Sequence, residues 1–339
     1  MTSGASRPDE GASPALPLVL LAFALVYIIW GSTYLAIRFA IETLPPLLMA
    51  GVRFVIAGGL LYGWGRWRGA PPPSRIQWKA AAVVGGLLLL GGNGAVVVAQ
   101  QWIPSGLAAL VVGAVPLWMV LIDWGWGGRI QPTGRVWAGL VVGFGGVAIL
   151  AGSPGLGAGG AMEFVGGALV LAGGVAWAVG SIYTRHAPTP KSARLWVGMQ
   201  MLWGGLFLLI VGSLAGEWGR VDPEGVSLKS VLALVYLILF GAIVGYSAYI
   251  WLLRVSTPSR VSTYAYVNPV VALFLGWWLA GEPLTPRSLL AAAVIIGSVV
   301  VTTWDSSFFR KRGPKLPGVA GGAPPAPPGT SEGRTPART

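Results

Sequence analysis

One charged side chain of this sequence falls inside an apolar run: Arg53, flanked by Gly51-Val52 and Phe54-Val55. A guanidinium at such depth is costly unless it is paired or faces a polar cavity. Arg53 therefore has two readings. It faces a pathway and attracts a carboxylate or phosphate, or it snorkels or holds backbone carbonyls and fixes its own helix. Neutral polar groups recur at helical spacing in other apolar runs. Asn93, Gln100 and Gln101 share one helical face, as do Trp30, Thr33 and Tyr34. Trp177 pairs with Ser181, Tyr246 with Tyr249, Ser262 with Tyr266, and Tyr264 with Asn268. Aromatic rings with polar tips suit a cavity for an amphipathic ligand. They suit packing in a helix bundle equally well.

The chemistry these residues support is recognition, and no catalytic residue is assigned. With no cysteine and the single histidine His186, thiolate and histidine-cluster metal sites are excluded, so metal ligands are none. No glycine loop followed by lysine and serine is present, so ATP hydrolysis is not expected, and no cofactor is implied. An intramembrane transferase would need a polar cluster at a membrane surface, and none is visible.

The elements that position these groups follow from composition. The 339 residues are 54% apolar and 10% charged, where a soluble domain carries about 25% charged residues. That charge is too little to cover a soluble surface. Ten segments approach the roughly 20 apolar residues of a spanning helix: about 16–37, 46–64, 78–102, 106–123, 136–151, 164–184, 195–214, 231–252, 261–280 and 288–303. Proline- and glycine-rich breaks separate them. Trp64, Trp67, Trp78, Trp102, Trp124, Trp126 and Trp304 lie at the edges of these runs, where indoles favour the headgroup level.

Charge asymmetry orients the chain. With a cytoplasmic N-terminus, only Arg38, Arg220, Lys229 and Arg287 fall on the outer side. All other basic residues except Arg53 fall inside. Both termini are then cytoplasmic. The formal charge of +12 reflects loops and tail rather than a nucleic-acid surface. The expected organisation is a cytoplasmic tail over 1–15, a first repeat over 16–151, a linker over 152–163, a second repeat over 164–303, and a disordered basic tail over 304–339.

The repeat shows when Pro116 is placed on Pro269, which matches Gly128 with Gly281. Trp30-Gly31-Ser32 likewise faces Trp177-Ala178-Val179, with Arg38 and Arg185 equally far downstream. Five spans per half force the halves to run oppositely through the bilayer, a common plan of secondary transporters. Pro116 and Pro269 should kink their helices and are candidate hinges. Paired glycines such as Gly85-Gly86 and Gly204-Gly205 read as close helix contacts.

Ile29-Trp30-Gly31-Ser32-Thr33-Tyr34, Leu48-Met49-Ala50-Gly51-Val52-Arg53-Phe54, Tyr266-Val267-Asn268-Pro269-Val270-Val271-Ala272 and Gly281-Glu282-Pro283-Leu284 resemble the drug/metabolite transporter superfamily, in its EamA-type ten-helix exporters. The resemblance spans about residues 18–303. It implies an all-α membrane fold of two inverted five-helix repeats around a central cavity, and export of amino acids, other metabolites or toxic compounds. One departure is Arg129, where the first repeat of the family often carries glutamate.

The resulting expectation is a carrier of small metabolites, foremost amino acids or related amphipathic compounds, in the cytoplasmic membrane. A multidrug, sugar or nucleoside carrier is the alternative, with an intramembrane enzyme or a scaffold behind it. The partners expected are a small-molecule substrate and the lipid bilayer. The oligomeric state stays open, a monomer included. Glu42, Asp123, Glu163 and Glu282 all border helices rather than lying mid-span, so facilitated diffusion or exchange is expected in place of a buried carboxylate relay.

Overall fold

A computed structural model of the chain describes residues 15–126, 134, 137–139, 141–142, 145, 161–256 and 258–303. The described residues form helices and no strands. The main helices are α1 (Leu16–Ala40), α2 (Pro46–Trp67), α3 (Arg75–Ala99), α4 (Ser105–Gly125), α5 (Ala161–His186), α6 (Ala193–Leu214), α7 (Leu228–Val255), α8 (Tyr264–Ala280) and α9 (Pro286–Thr303). Helices α1 to α7 are long and apolar enough to cross a membrane, while α8 and α9 carry the shorter apolar stretches Val267–Ala280 and Leu289–Ser298. Most of the expected span at 136–151 lies outside the described residues, as do most of the linker, both tails and Arg129.

The molecule is apolar outside as well as inside. Leu16, Ile28, Phe164, Leu228 and Trp278 are exposed, whereas Thr33, Arg53, Gln100, Gln200 and Asn268 are buried. A water-soluble fold distributes these types the other way round. Lipid around the helices and polar groups turned inward account for the pattern.

Helix starts follow local chemistry. Pro46 opens α2, where its missing N–H is no loss. Ser74 and Gln77 form a reciprocal capping box at α3. Ser192 and Ser227 cap α6 and α7 by accepting from Leu195 N and Ser230 N.

Two helices reach across the chain for their caps. The Glu217 carboxylate, in the turn after α6, accepts from Leu47 N at 3.2 Å and Leu48 N at 2.9 Å at the start of α2. Gly281, at φ 64°, ends α8 and turns Glu282 back so that its N–H bonds Gly276 O at 3.0 Å. The Glu282 carboxylate then accepts from Ser105 N at 2.9 Å, Ser105 Oγ at 2.8 Å and Gly106 N at 3.2 Å, at the start of α4. A carboxylate complements the orphan amides and positive dipole of a helix N-terminus.

These caps join helices that also pack closely. Helix α2 lies along α6, and α4 along α8. Glycine makes the first approach possible. A Cβ on Gly58 would stand 2.8 Å from Gly198 O, and one on Gly205 would stand 2.8 Å from Val55 N. Helix α1 packs on α8 and α7, and α5 packs on α3 and α4.

Two irregularities shape the interior. Helix α3 winds as a π-helix over Gly86–Gly94, and α7 does so over Leu237–Tyr246. A π turn widens the helix and is frequent at functional sites. Helix α4 breaks at Gly113-Ala114, just before Pro116. Pro269, by contrast, sits inside the continuous α8.

Candidate functional site

The π-helical turns of α3 and α7 face a cavity with about 660 Å³ of atom-free space, its solvent-open part included. Helix α1 contributes Trp30, Thr33, Tyr34 and Ile37, and α2 contributes Arg53 and Phe54. Leu89, Gly92, Asn93 and Val96 come from α3, with Val112 and Val115 from α4. Across from them stand Val170, Gly173, Gly174 and Trp177 of α5, Gly241 and Tyr246 of α7, and Tyr264 of α8. The lining is mostly apolar and aromatic with a few polar groups, the usual make-up of a small-molecule site.

One wall is a linked aromatic cluster. Trp30 meets Tyr264 edge-on at 5.2 Å and Trp177 at 5.5 Å, and its ring lies 4.9 Å from that of Tyr249. Tyr249 and Tyr264 are 5.7 Å apart, again edge-on. Hydrogen bonds fix the rings. Ser181 Oγ donates to Trp177 O at 2.6 Å, so its contact of 2.7 Å with Tyr249 has the phenol as donor. Tyr249 in turn accepts from Trp177 Nε1 at 2.9 Å, which closes a ring of three bonds. Trp30 Nε1 donates to Gly241 O at 3.2 Å, tying α1 to the π-helical part of α7. Tyr246 donates to Gln200 Oε1 at 2.7 Å.

Arg53 is the cation of the cavity. It is 3% exposed, and its guanidinium carbon stands 4.6 Å from the Phe54 ring centroid. Among the described residues no carboxylate pairs with it, and its Nε and Nη1 are buried without a hydrogen-bond partner. Asn93 Oδ1 is likewise buried and unpartnered.

Of the residues singled out from the sequence, Trp30, Thr33, Tyr34, Arg53, Asn93, Trp177, Tyr246 and Tyr264 line the cavity. Ser181 and Tyr249 do not; Tyr249 holds the Trp177 indole N–H, and Ser181 holds the Tyr249 hydroxyl. Asn268 is buried away from the lining, where its amide nitrogen donates to Tyr27 O at 3.0 Å and Tyr264 O at 3.1 Å. It bridges α8 to α1. The Tyr266 side chain lies outside the described residues. Gln100 is fully buried outside the lining, and Gln101 receives Arg220 Nη2 at 3.1 Å.

Sequence reasoning missed Phe54, Leu89, Gly92, Gly173, Gly174 and Gly241 as lining residues, together with Ile37, Val96, Val112, Val115 and Val170. The first two are apolar residues on helices that are apolar nearly all round. Nothing in the spacing of these four glycines sets them apart from glycines that serve close helix contacts. The π-helical rotation that turns Gly92 and Gly241 inward leaves no mark in hydrophobic periodicity.

Comparison with known proteins agrees with this architecture. The EamA-like transporter family matches twice, over residues 17–152 and 164–304. The uncharacterized inner membrane transporter YedA of Escherichia coli (strain K12) is 42% identical over 302 residues, covering 87% of this chain and 93% of that one. The probable amino-acid metabolite efflux pump of the same strain is 27% identical over 301 residues, covering 83% and 93%. A solved crystal structure superposes with a TM-score of 0.60 at 21% identity, covering 85% of this chain and 97% of that one, a likeness of fold. The π-helical segments thus fall in the third helix of each matched stretch, and the prolines Pro116 and Pro269 in the fourth. A multi-pass membrane protein with this fold and this sequence kinship belongs to the EamA-like transporter family.

Proposed function

We propose that the chain is a secondary transporter that moves small amphipathic metabolites, foremost amino acids or related compounds, across the cytoplasmic membrane by alternating access. The observation that carries this reading is the shared cavity. Helices α1 to α4 of the first matched stretch and α5, α7 and α8 of the second all line it. A site at the interface of two repeats is where carriers of this plan bind cargo.

In this reading the chain has ten spans in two inverted five-helix repeats, with both termini cytoplasmic. Two stretches matching one family model, and π turns and prolines at corresponding positions, support the repeat. Trp30, Trp177 and Tyr264 form the apolar seat, with Thr33, Tyr34, Arg53, Asn93 and Tyr246 as polar contacts. Ser181, Tyr249 and Asn268 position that seat. The broken α4 before Pro116 and the proline-bearing α8 serve as hinges. The 27% identity to a probable amino-acid metabolite efflux pump favours amino-acid-like cargo.

Transport is by exchange or facilitated diffusion. Glu282 and Glu217 are engaged as helix caps, and Glu42 pairs with Lys229 Nζ at 2.7 Å.

Counterflow in proteoliposomes tests the reading. Vesicles preloaded with unlabelled amino acid should accumulate a labelled trace, and Asn93→Ala and Trp30→Ala should lose that accumulation. Absence of counterflow across amino acids, sugars, nucleosides and cationic drugs would refute a carrier.

A further inference from the structure

The cavity holds a buried donor group and a buried acceptor that no described residue matches. Arg53 presents Nε and Nη1 without partners, and Asn93 presents Oδ1 without one. Buried polar atoms are nearly always satisfied, and a buried guanidinium is normally paired. Orphans of opposite hydrogen-bonding type in one cavity are complementary to a ligand bearing both an anionic acceptor and a donor. Aromatic and apolar walls on either side ask for an apolar body between them.

Resting on the transporter reading above, we propose that the cargo is a small organic carboxylate whose carboxylate pairs with Arg53, and that this pairing makes exchange obligatory. A planar guanidinium binds a carboxylate by charge-assisted hydrogen bonds. Asn93 Oδ1 takes an N–H or O–H of the same molecule. Once the cargo leaves, the guanidinium has no carboxylate among the described residues to replace it. The emptied carrier must then reorient with its buried guanidinium unpaired, whereas the loaded one reorients with that charge paired. A second carboxylate entering from the opposite side removes that barrier.

The test uses three probes with one aromatic body and different charge, each with a donor for Asn93: L-3-phenyllactate, L-phenylalanine and L-phenylalaninamide. Binding to the purified full-length protein is followed by calorimetry. Both carboxylates should bind about ten-fold or more tighter than the amide, the effect of one charge-assisted pair. Arg53→Met should erase the difference, and Arg53→Lys should retain part of it, with both variants monodisperse and melting no lower than the wild type. In proteoliposomes, release of labelled L-3-phenyllactate should quicken about ten-fold on adding unlabelled compound outside. In Arg53→Met the two rates should converge.

Equal binding of the amide, discrimination that survives Arg53→Met, or no binding of any probe would overturn the proposal. So would release that is as fast without external carboxylate. Counterflow of cationic or neutral compounds alone would sink this assignment while leaving the transporter reading intact. No counterflow of any compound class would sink both.

Discussion

The Glu282 carboxylate accepts from both the amide and the hydroxyl of Ser105, at 2.9 and 2.8 Å, and so a residue after α8 completes the first turn of α4. Glu217 does the same for α2 from the turn after α6. Each cap joins two helices that lie along one another, so each pair is held at its end as well as along its length.

Removing either carboxylate should therefore loosen a pair rather than a single helix. Glu282→Ala and Glu217→Ala are each expected to lower stability by about 1 to 2 kcal/mol, the usual value of an N-terminal cap. Glu217→Ala should fall at the upper end, because Glu217 is 3% exposed and its amide partners would be left dry. Thermal unfolding in detergent gives the comparison. Melting temperatures unchanged in both variants would show that the caps contribute nothing.

The α2 and α6 backbones approach too closely for side chains. Gly58→Leu or Gly205→Leu would force atoms into backbone positions that a Cβ already meets at 2.8 Å. Either should abolish recovery of monodisperse protein, whereas Gly59→Leu, whose Cβ would meet nothing within 4 Å, should fold normally. Equal yields of all three would contradict the packing.

Some of this architecture was legible in sequence, and the reasons differ by feature. The start of α2 was readable because Pro46 opens a long apolar run. The cavity face of α1 was readable because Trp30, Thr33 and Tyr34 fall on one helical stripe. The beginning of α8 was misplaced at Val261, since Ser262 and Thr263 interrupt the helix with a turn that hydropathy does not register. The crossing caps were illegible as well. Glu282 bears on Ser105 only because α8 lies along α4, a relation between distant parts of the chain. The π turns escaped for a further reason. They shift the facing of Gly92 and Gly241 by adding to the helical repeat, while pattern reading assumes that repeat to be constant.

Arg53 gives a stability outcome opposite to that of ordinary core substitutions. Replacing a buried charge that lacks a partner with an apolar residue of similar length removes a desolvation penalty and creates little void. Arg53→Met should thus melt at or above the wild-type temperature while failing to bind carboxylates. A drop of several degrees would indicate that the guanidinium holds backbone carbonyls, and would return Arg53 to a structural role.

Tyr249 separates scaffold from lining. Its hydroxyl accepts from Trp177 Nε1 and donates to Ser181 Oγ, yet it does not line the cavity. Tyr249→Phe removes the acceptor that the indole N–H reaches at 2.9 Å and should cost about 0.5 to 1.5 kcal/mol. Because Trp177 then loses its tether, the wall of the cavity loosens, and cargo affinity should fall without loss of any direct contact. Ser181→Ala leaves the Trp177 bond to Tyr249 in place and should affect binding less. Calorimetric titration of both variants decides the matter. If Ser181→Ala weakened binding as much as Tyr249→Phe, the indole tether would not be the part that counts, and Ser181 itself would have to reach the cargo.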